Sequence, residues 1–339
     1  MSSKNNILIF KNDRGGDLLN SISCISSLLD KNNKVTIYLS QFNIGFAFLF
    51  ANANIKKINY NLSLFAKIRI FLFILINNFD EIYILTPKNY YYYLSFFFRK
   101  IKFYAITVDG VKRKRPFEAL RALLYKYVTI SRKSINNKSS ADLQKDLIID
   151  NKYIDNNFIN IKTPMLNEFI AKNIPKKFLF IQYKDSFYKE INLSGKNFLF
   201  LLEDLIKTND NIIFSSDIEN NLSNTFFYEQ FNLIDCKQKI AKINKDKKNI
   251  TYLHAIDSEN LFAIINKANN IISPHGLVTH MCKFYKKKSL NLFNFKINNK
   301  KDFIHQKIAF SEWYKNMNIK FVFLNNDVDR SLKKIRNNV

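Results

Sequence analysis

The chain has 339 residues and a net charge of +25, with 53 Lys and Arg residues against 28 Asp and Glu. This length exceeds the usual size of one hydrophobic core, so we expect two domains, and the 47% hydrophobic content excludes a disordered chain. The charge favours anionic partners such as nucleic acid, an acidic membrane surface or phosphorylated substrates. The joint abundance of Lys, Asn and Ile is equally typical of proteins from AT-rich genomes.

Cysteine usage and the apolar runs predict the compartment. Cys24, Cys236 and Cys282 form no CxxC pair and no even disulfide framework, which favours a reducing compartment. The N-terminus lacks the long apolar region of a signal peptide, and the most apolar run, residues 68–76, is too short to span a bilayer. We expect a soluble cytoplasmic protein and leave open whether it rests on a membrane surface.

Short apolar runs alternate with helical patterns along the chain, which predicts an α/β fold. The predicted strands of the first half are residues 7–10, 35–40, 81–86 and 102–107. Those of the second half are residues 178–183, 211–216, 250–255, 270–274, 289–294 and 320–325. Unbroken apolar strands between helices favour parallel sheets that are covered on both faces.

A polar, irregular stretch from about Ser131 to Pro175 separates the two series of strands. We therefore predict an N-terminal domain over 1–165, a C-terminal domain over 166–325 and a C-terminal helix over 326–339. Two such domains would enclose a central cleft, with the loops at the carboxyl ends of the strands facing it.

The first candidate site is the turn after the first predicted strand. Gly15 and Gly16 form this turn, and Asp17 follows them at the start of an amphipathic helix. Asp17 either caps the helix or faces the cleft as a catalytic carboxylate.

The second candidate site is the segment from residue 268 to residue 293. Here a strand ends at Pro274, His275 and Gly276 turn the chain, and the following helix carries Thr279 and His280. A glycine turn with the free N–H groups of a helix N-terminus is suited to a phosphate, although satisfied helix-terminal histidines would give the same pattern.

Three further segments carry candidate ligand contacts. Lys184, Ser186 and Lys189 follow a strand, and the lysines could neutralise phosphate. Glu219 follows the next strand, where a carboxylate accepts hydrogen bonds from ribose hydroxyls or merely caps a helix. The basic segment 111–121, with Arg113 and Arg115, could steer an anionic acceptor or contact an anionic membrane.

Several common sites are excluded by pattern. The sequence contains no GxxxxGK[ST] phosphate loop, no GxGxxG fingerprint and no GxSxG elbow. It contains no Asp-x-Asp pair or His/Cys cluster with metal-ligand spacing, so no metal site is expected.

Two segments resemble one known family. The opening NILIFKNDRGGDLLNSISCISSLL and the later segment from Tyr252 to Phe293 resemble the lipopolysaccharide heptosyltransferases, glycosyltransferase family 9. The segment LFILINNFDEIYIL also lies where that family has a Tyr/Phe-Asp strand entry. The resemblance covers most of the chain in order, although few of its positions are diagnostic.

The resemblance implies a GT-B architecture of two Rossmann-like domains, with the acceptor on the first and a nucleotide-sugar donor on the second. It implies inverting, metal-independent transfer of a heptose or hexose-like sugar to a lipopolysaccharide core or another cell-surface glycan, with no cofactor besides the co-substrate. Carried over by position, Asp17 is the catalytic base, and Gly15, Gly16, Arg113 and Arg115 lie on the acceptor side. The donor-side residues are Lys184, Ser186, Lys189, Glu219, His275, Gly276, Thr279 and His280.

The chain departs from the family pattern in the second turn. Pro274, His275 and Gly276 replace the usual Asp-Thr-Gly, and the following histidine comes one residue later. These departures leave the donor open and admit a family member without activity. The alternatives are a sugar-nucleotide epimerase of the same layout and a basic nucleic-acid-binding protein, although no helix-turn-helix or zinc finger is present.

Overall fold

A computed structural model describes residues 5–29, 33–110, 113–115, 118–131, 134, 140–148, 164–216, 227, 229, 232–235, 240–245, 248–254, 256–294 and 318–339. The chain divides into two compact units, Met1–Lys162 and Thr163–Val339. This division falls within the polar stretch where the sequence predicts a boundary.

Unit 1 is built on a 7-stranded sheet. Its strands are β1 (Asn6–Lys11), β2 (Lys34–Ser40), β3 (Asn54–Ile58), β4 (Glu81–Ile84), β5 (Lys102–Gly110), β6 (Arg113–Arg115) and β7 (Lys126–Ser131). Its helices are α1 (Gly15–Leu29), α2 (Leu64–Asn77), α3 (Asn89–Phe97), α4 (Glu118–Arg121) and α5 (Ser140–Lys145), with a 3₁₀ helix at Ile44–Phe50. The main order is β3-β2-β1-β4-β5, all parallel, and β5 also pairs with β7 (parallel) and β6 (antiparallel).

Unit 2 is built on an 8-stranded sheet in the order β10-β11-β12-β9-β8-β13-β14-β15. The strands are β8 (Leu179–Tyr183), β9 (Asn211–Ser216), β10 (Asn232–Asp235), β11 (Ile240–Lys245), β12 (Lys248–His254), β13 (Asn270–Pro274), β14 (Ser289–Asn294) and β15 (Ile319–Leu324). The helices are α6 (Glu168–Asn173), α7 (Asp185–Glu190), α8 (Lys196–Leu205), α9 (Ser258–Lys267), α10 (Leu277–Tyr285) and α11 (Val328–Arg336).

The predicted strands of both halves are confirmed, and they pair with one another in parallel as expected, whereas strands that were not predicted add antiparallel pairings. In unit 2, β10 and β11 extend the sheet as antiparallel strands, and in unit 1 β6 runs antiparallel to β5. The strands that carry the candidate site loops, β1, β4, β8 and β13, pair with parallel neighbours. Within the described ranges, no helix is long and apolar enough to cross a membrane.

Buried aromatic residues hold the central strand of unit 1. The ring of Phe10 stacks on Tyr91 of α3 at a centroid distance of 4.0 Å, and on Tyr38 of β2 at 5.6 Å. The hydroxyl of Tyr91 donates to Oδ1 of Asn12 (2.9 Å), and both residues are fully buried. This bond fixes the chain directly after β1, where the candidate turn begins.

We expect Tyr91→Phe to lower the free energy of unfolding by about 1–3 kcal/mol, because it leaves a buried amide oxygen of Asn12 without its donor. Tyr93→Phe on the exposed face of the same helix is the matched control and should change stability by less than about 0.5 kcal/mol. Urea denaturation of the two variants measures the difference. Equal midpoints would show that the hydrogen bond does not hold the end of β1.

Candidate functional site

The strand order of each sheet reverses beside its first strand. In unit 1 the chain passes from β1 to β2 and β3 on one side, then places β4 on the other side of β1. In unit 2, β9 and β12 lie on one side of β8, and β13 lies on the other. In open parallel sheets, such a reversal leaves a crevice outside the carboxyl ends of the two strands, and ligands bind there.

The carboxyl ends of β1 and β4 open into a cavity of about 310 Å³, which we call the β1–β4 cavity. Its polar wall is formed by Lys11 at the end of β1, by Asp13 and Asp17 after it, by Thr86 after β4, and by Lys88. A larger cavity, about 500 Å³, lies in unit 2 at the amino-terminal edge of the sheet, near Asn270 and Ser289. Ligands of open parallel sheets bind at the carboxyl-terminal edge, so this cavity is not at the expected place.

Side chains from β2 and the loop behind it hold the backbone at the mouth of this cavity. The amide of Asn43 donates to the carbonyl of Lys11 (2.8 Å), and its Oδ1 accepts the backbone N–H of Ser40 (2.7 Å). The hydroxyl of Ser40 donates to the carbonyl of Asp13 (2.7 Å). Lys11 and Asp13 are therefore fixed by residues about thirty positions further along the chain.

The two carboxylates of the β1–β4 cavity have different environments. Asp13 lies 2.7 Å from the ammonium of the buried Lys11, and burial raises the pKa of its carboxyl even though Lys11 opposes the shift. Asp17 is exposed, and its carboxylate makes no hydrogen bond or ion pair with another described residue. Asp17 is also the third residue of α1 and not its N-cap, so the capping interpretation is wrong.

Lys88 is a further cation of this cavity that the sequence did not single out. Its ammonium donates to the carbonyl of Tyr60 and lies 4.1 Å from the centre of the Tyr60 ring. Burial lowers the pKa of Lys88 to about 8, and Asp13 opposes this shift. Of the other residues expected on the acceptor side, Gly15 and Gly16 begin α1, and Arg113 and Arg115 lie on β6.

In unit 2, β13 ends at the turn formed by Pro274, His275 and Gly276, which we call the His275 turn. The backbone N–H of His275 donates to the carbonyl of Leu292 on β14 (3.0 Å), and its ring stacks on Phe293 at 4.8 Å. The ring centres of His275 and His280 are 6.1 Å apart, so the structure brings the two histidines together. A Cβ at Gly276 would meet no atom within 4 Å, so the turn borders open space.

Thr279 has a positioning role in this turn. Its hydroxyl is fully buried, accepts the backbone N–H of Gly276 (3.2 Å) and donates to Oδ1 of Asn291 on β14 (2.5 Å). It therefore ties the start of α10 to the neighbouring strand, and it does not present its hydroxyl to a ligand.

Both histidines of the turn are neutral near pH 7. Burial lowers the pKa of His275 to about 4, and burial, His275 and Lys283 lower the pKa of His280 to about 3. Neutral imidazoles can donate one hydrogen bond each but carry no charge, so they cannot neutralise an anion.

The segment after β8 supplies cations at the crevice of β8 and β13. Lys184 is exposed at the N-cap of α7, and Ser186 is exposed in its first turn. Lys189 pairs with the buried carboxylate of Asp185 (2.7 Å), which also accepts the hydroxyl of Tyr183 (3.0 Å). Asp185 was not predicted, although its spacing of four residues from Lys189 is the signal for such a pair. The predicted Glu219 lies outside the described residues.

Unit 2 contains a second polar cluster, which the sequence does not predict. At the carboxyl ends of β9 and β12, the hydroxyls of Ser216 and Tyr252 lie 2.8 Å apart, and each lies within 3.4 Å of Nδ1 of His254. Ser216 is 36 residues from Tyr252 and 38 from His254 in sequence, and only the pairing of β9 with β12 brings it to them.

No protein-family model and no curated protein sequence matches this chain. A glycosyl transferase family 9 structure from Veillonella parvula DSM 2008 is similar, with a TM-score of 0.62 at 11% identity, covering 100% of this chain and 98% of that one.

Two other solved structures are similar at comparable coverage. The E. coli heptosyltransferase WaaC with ADP gives a TM-score of 0.61 at 9% identity, covering 98% of this chain and 100% of that one. A UDP-GlcNAc 2-epimerase from Methanocaldococcus jannaschii gives 0.55 at 14% identity, covering 98% and 92%. These similarities confirm the predicted fold class, an α/β chain of the GT-B type with two Rossmann-like units.

The neutral histidines predict how stability depends on pH. The unfolded chain binds protons at His275 and His280 below about pH 6.5, whereas the folded chain does so only near pH 4 and pH 3. These sites therefore stabilise the fold fully above about pH 6.5, and this stability is lost as the pH falls towards 4.

We expect the melting temperature of His280→Gln to fall less between pH 7 and pH 4.5 than that of the natural chain, because the variant has one fewer site that takes up a proton on unfolding. Thermal melts of both proteins over this range provide the measurement. Since all other titrating groups are shared, parallel curves would show that His280 is not held neutral.

Proposed function

We propose that this protein is a glycosyltransferase that moves a sugar from a nucleotide-sugar donor to a glycan acceptor. The observation that carries the proposal is that both strand-order reversals end in the expected chemistry, an accessible carboxylate after β1 and a cationic, hydrogen-bonding edge after β8 and β13. The structural similarity to glycosyltransferases over nearly the full chain supports it.

The donor diphosphate would bind at the crevice of β8 and β13. Lys184 and Lys189 would neutralise its charge, because the desolvated His275 and His280 are neutral and can only donate hydrogen bonds. Ser186 and the first turn of α10 after Gly276 would add further donors. These groups would stabilise the leaving nucleoside diphosphate without a metal ion, and Glu219 would contact its ribose.

The acceptor would bind in the β1–β4 cavity, with Arg113 and Arg115 of β6 steering its anionic groups. Asp17 would remove the proton from the acceptor hydroxyl as the hydroxyl oxygen attacks the anomeric carbon. The new bond joins this carbon to the acceptor oxygen, and the bond to the diphosphate oxygen breaks with its electron pair leaving on the diphosphate. Attack from the face opposite the leaving group inverts the configuration.

We further propose that the acceptor is a lipopolysaccharide core or a related cell-surface glycan and that the sugar is a heptose or a hexose-like sugar. Transfer would then occur in the cytoplasm at the inner face of the inner membrane. The family 9 and heptosyltransferase structures support this choice over the epimerase, which gives a lower TM-score. An epimerase would instead convert the donor without any acceptor, and a nucleic-acid-binding protein would bind DNA with steep salt dependence and ignore sugar nucleotides.

Replacement of the proposed base tests the reaction directly. We expect Asp17→Asn to lower the rate of sugar transfer about 10²–10⁴-fold while donor affinity and melting temperature stay unchanged. Asp329→Asn is the matched control, because Asp329 is likewise an exposed acid in the first turn of a helix, α11. A radiolabelled-sugar transfer assay gives the rates, and normal transfer by Asp17→Asn would exclude Asp17 as the base.

The donor side has a separate test in binding. A panel of ADP-, GDP-, UDP- and CMP-sugars screened by thermal shift should identify one nucleotide that raises the melting temperature with concentration. We expect Lys184→Gln to weaken that ligand about tenfold, since it removes a charge-assisted contact to phosphate. Lys267→Gln, an exposed lysine at the amino-terminal edge of the same sheet, should bind normally. An equal loss of ligand affinity in both variants would indicate that the anionic ligand is attracted nonspecifically to a basic protein.

A further inference from the structure

Helix α2 exposes one broad apolar face. At about 3.6 residues per turn, Phe65, Ile68, Leu72, Leu75 and Ile76 share this face, and all are exposed. Phe65 is 70% exposed and Ile76 is 74% exposed. The buried residues of the helix, Ile70 and Ile74, lie on the opposite side and pack into the core of unit 1. The helix is therefore apolar on both sides, although only one is covered.

Helix α3 continues the same surface. Phe71 of α2 packs edge-on against Phe97 of α3 with ring centres 5.6 Å apart, and Phe97 packs against Phe96 at 5.4 Å. Phe96 and Phe97 are both exposed. The two helices are also joined by a hydrogen bond from the Tyr90 hydroxyl to the carbonyl of Lys67. We call this continuous surface, formed by the exposed apolar residues of α2 and α3, the α2–α3 face.

The part of the chain that carries the α2–α3 face is poor in acids. Residues 31–108 contain ten Lys and Arg residues but only two acids, Asp80 and Glu81. Arg69 is exposed on α2, and Arg99 and Lys100 are exposed directly after α3, with the Arg99 guanidinium 5.3 Å from the centre of the Phe96 ring. An apolar face with a cationic border is complementary to the acyl chains and headgroups of an anionic bilayer.

We propose that the α2–α3 face docks this protein onto the surface of a membrane that contains anionic lipid. The 14 residues of α2 span only about 21 Å, less than the hydrocarbon core of a bilayer, so the helix would lie in the interface. A second copy of the chain is a poorer occupant, because a two-fold contact through this face would oppose Arg69, Arg99 and Lys100 to the same cations. The proposal does not depend on the activity proposed above.

Flotation with lipid vesicles tests this docking. The full chain should bind phosphatidylcholine–phosphatidylglycerol vesicles, and Phe65→Gln/Ile76→Gln should weaken partitioning at least about tenfold, because it removes two highly exposed apolar side chains of the α2–α3 face. The matched control is Met165→Gln/Phe200→Gln, which replaces side chains of unit 2 that are 87% and 57% exposed. This control should bind as the natural chain does. Unchanged melting temperatures exclude misfolding.

Variants that remove positive charge from the border of the α2–α3 face test whether anionic headgroups contribute to vesicle binding. Arg69→Gln/Arg99→Gln should weaken binding to the anionic vesicles about fivefold per charge and leave binding to pure phosphatidylcholine vesicles unchanged. Equal vesicle binding by Phe65→Gln/Ile76→Gln and the natural chain would overturn the proposal. A second result would also overturn it: the natural chain does not bind vesicles but forms dimers in light scattering, and Phe65→Gln/Ile76→Gln disrupts these dimers. A second copy of the chain would then cover the face.

Discussion

The reversal of strand order beside β1 and beside β8 is the constraint on which the rest of the structure depends. Both strands are buried between parallel neighbours, so the residues that follow them start from fixed points. A crevice forms there because the connections on the two sides leave in opposite directions. The hydrogen bonds of Asn43 and Ser40 to the backbone after β1, and of Thr279 to Gly276, reinforce these points. Rigid strands thus hold short polar loops in place.

Burial assigns different chemistry to residues of the same type. Asp13 is largely buried and pairs with Lys11, so its charge is compensated within the fold, whereas Asp17 is exposed in the same cavity. In unit 2, desolvation keeps His275 and His280 neutral, so the cations next to the crevice of β8 and β13 are the lysines after β8. The buried Asp185 holds Lys189 in place and offsets part of its charge. Lys184 of the same segment is exposed at the N-cap of α7, and its charge is not offset by Asp185 in this way.

The sequence predicted the buried strands well because each is a continuous apolar run, as in NILIFK of β1 or NIISP of β13. It missed β3, whose central Lys56 and Lys57 break the apolar pattern at the edge of the sheet, and the antiparallel strands β10 and β11. Asp17 and His275 lie after strands β1 and β13, where the sequence places them, because local turn chemistry marks these positions. Lys88, Asn43 and His254 could not be found, since Tyr60, Lys11 and Ser216, which they contact, are distant in sequence and only the fold brings them together.

The α2–α3 face and the β1–β4 cavity are linked through the chain. Tyr60 and Lys88 line the cavity, and Tyr60 shortly precedes Ser63, the N-cap of α2, while Lys88 is the N-cap of α3. Both helices of the apolar face therefore begin at the wall of the cavity. Exposed apolar surface is unfavourable in water, and a contiguous face of this kind marks an interaction surface. If the face rests on lipid and the proposed acceptor carries a lipid anchor, the anchor would stay in the bilayer while the polar part of the acceptor entered the β1–β4 cavity. The lipid surface would then raise the local concentration of acceptor at the cavity without any further contact to the sugar.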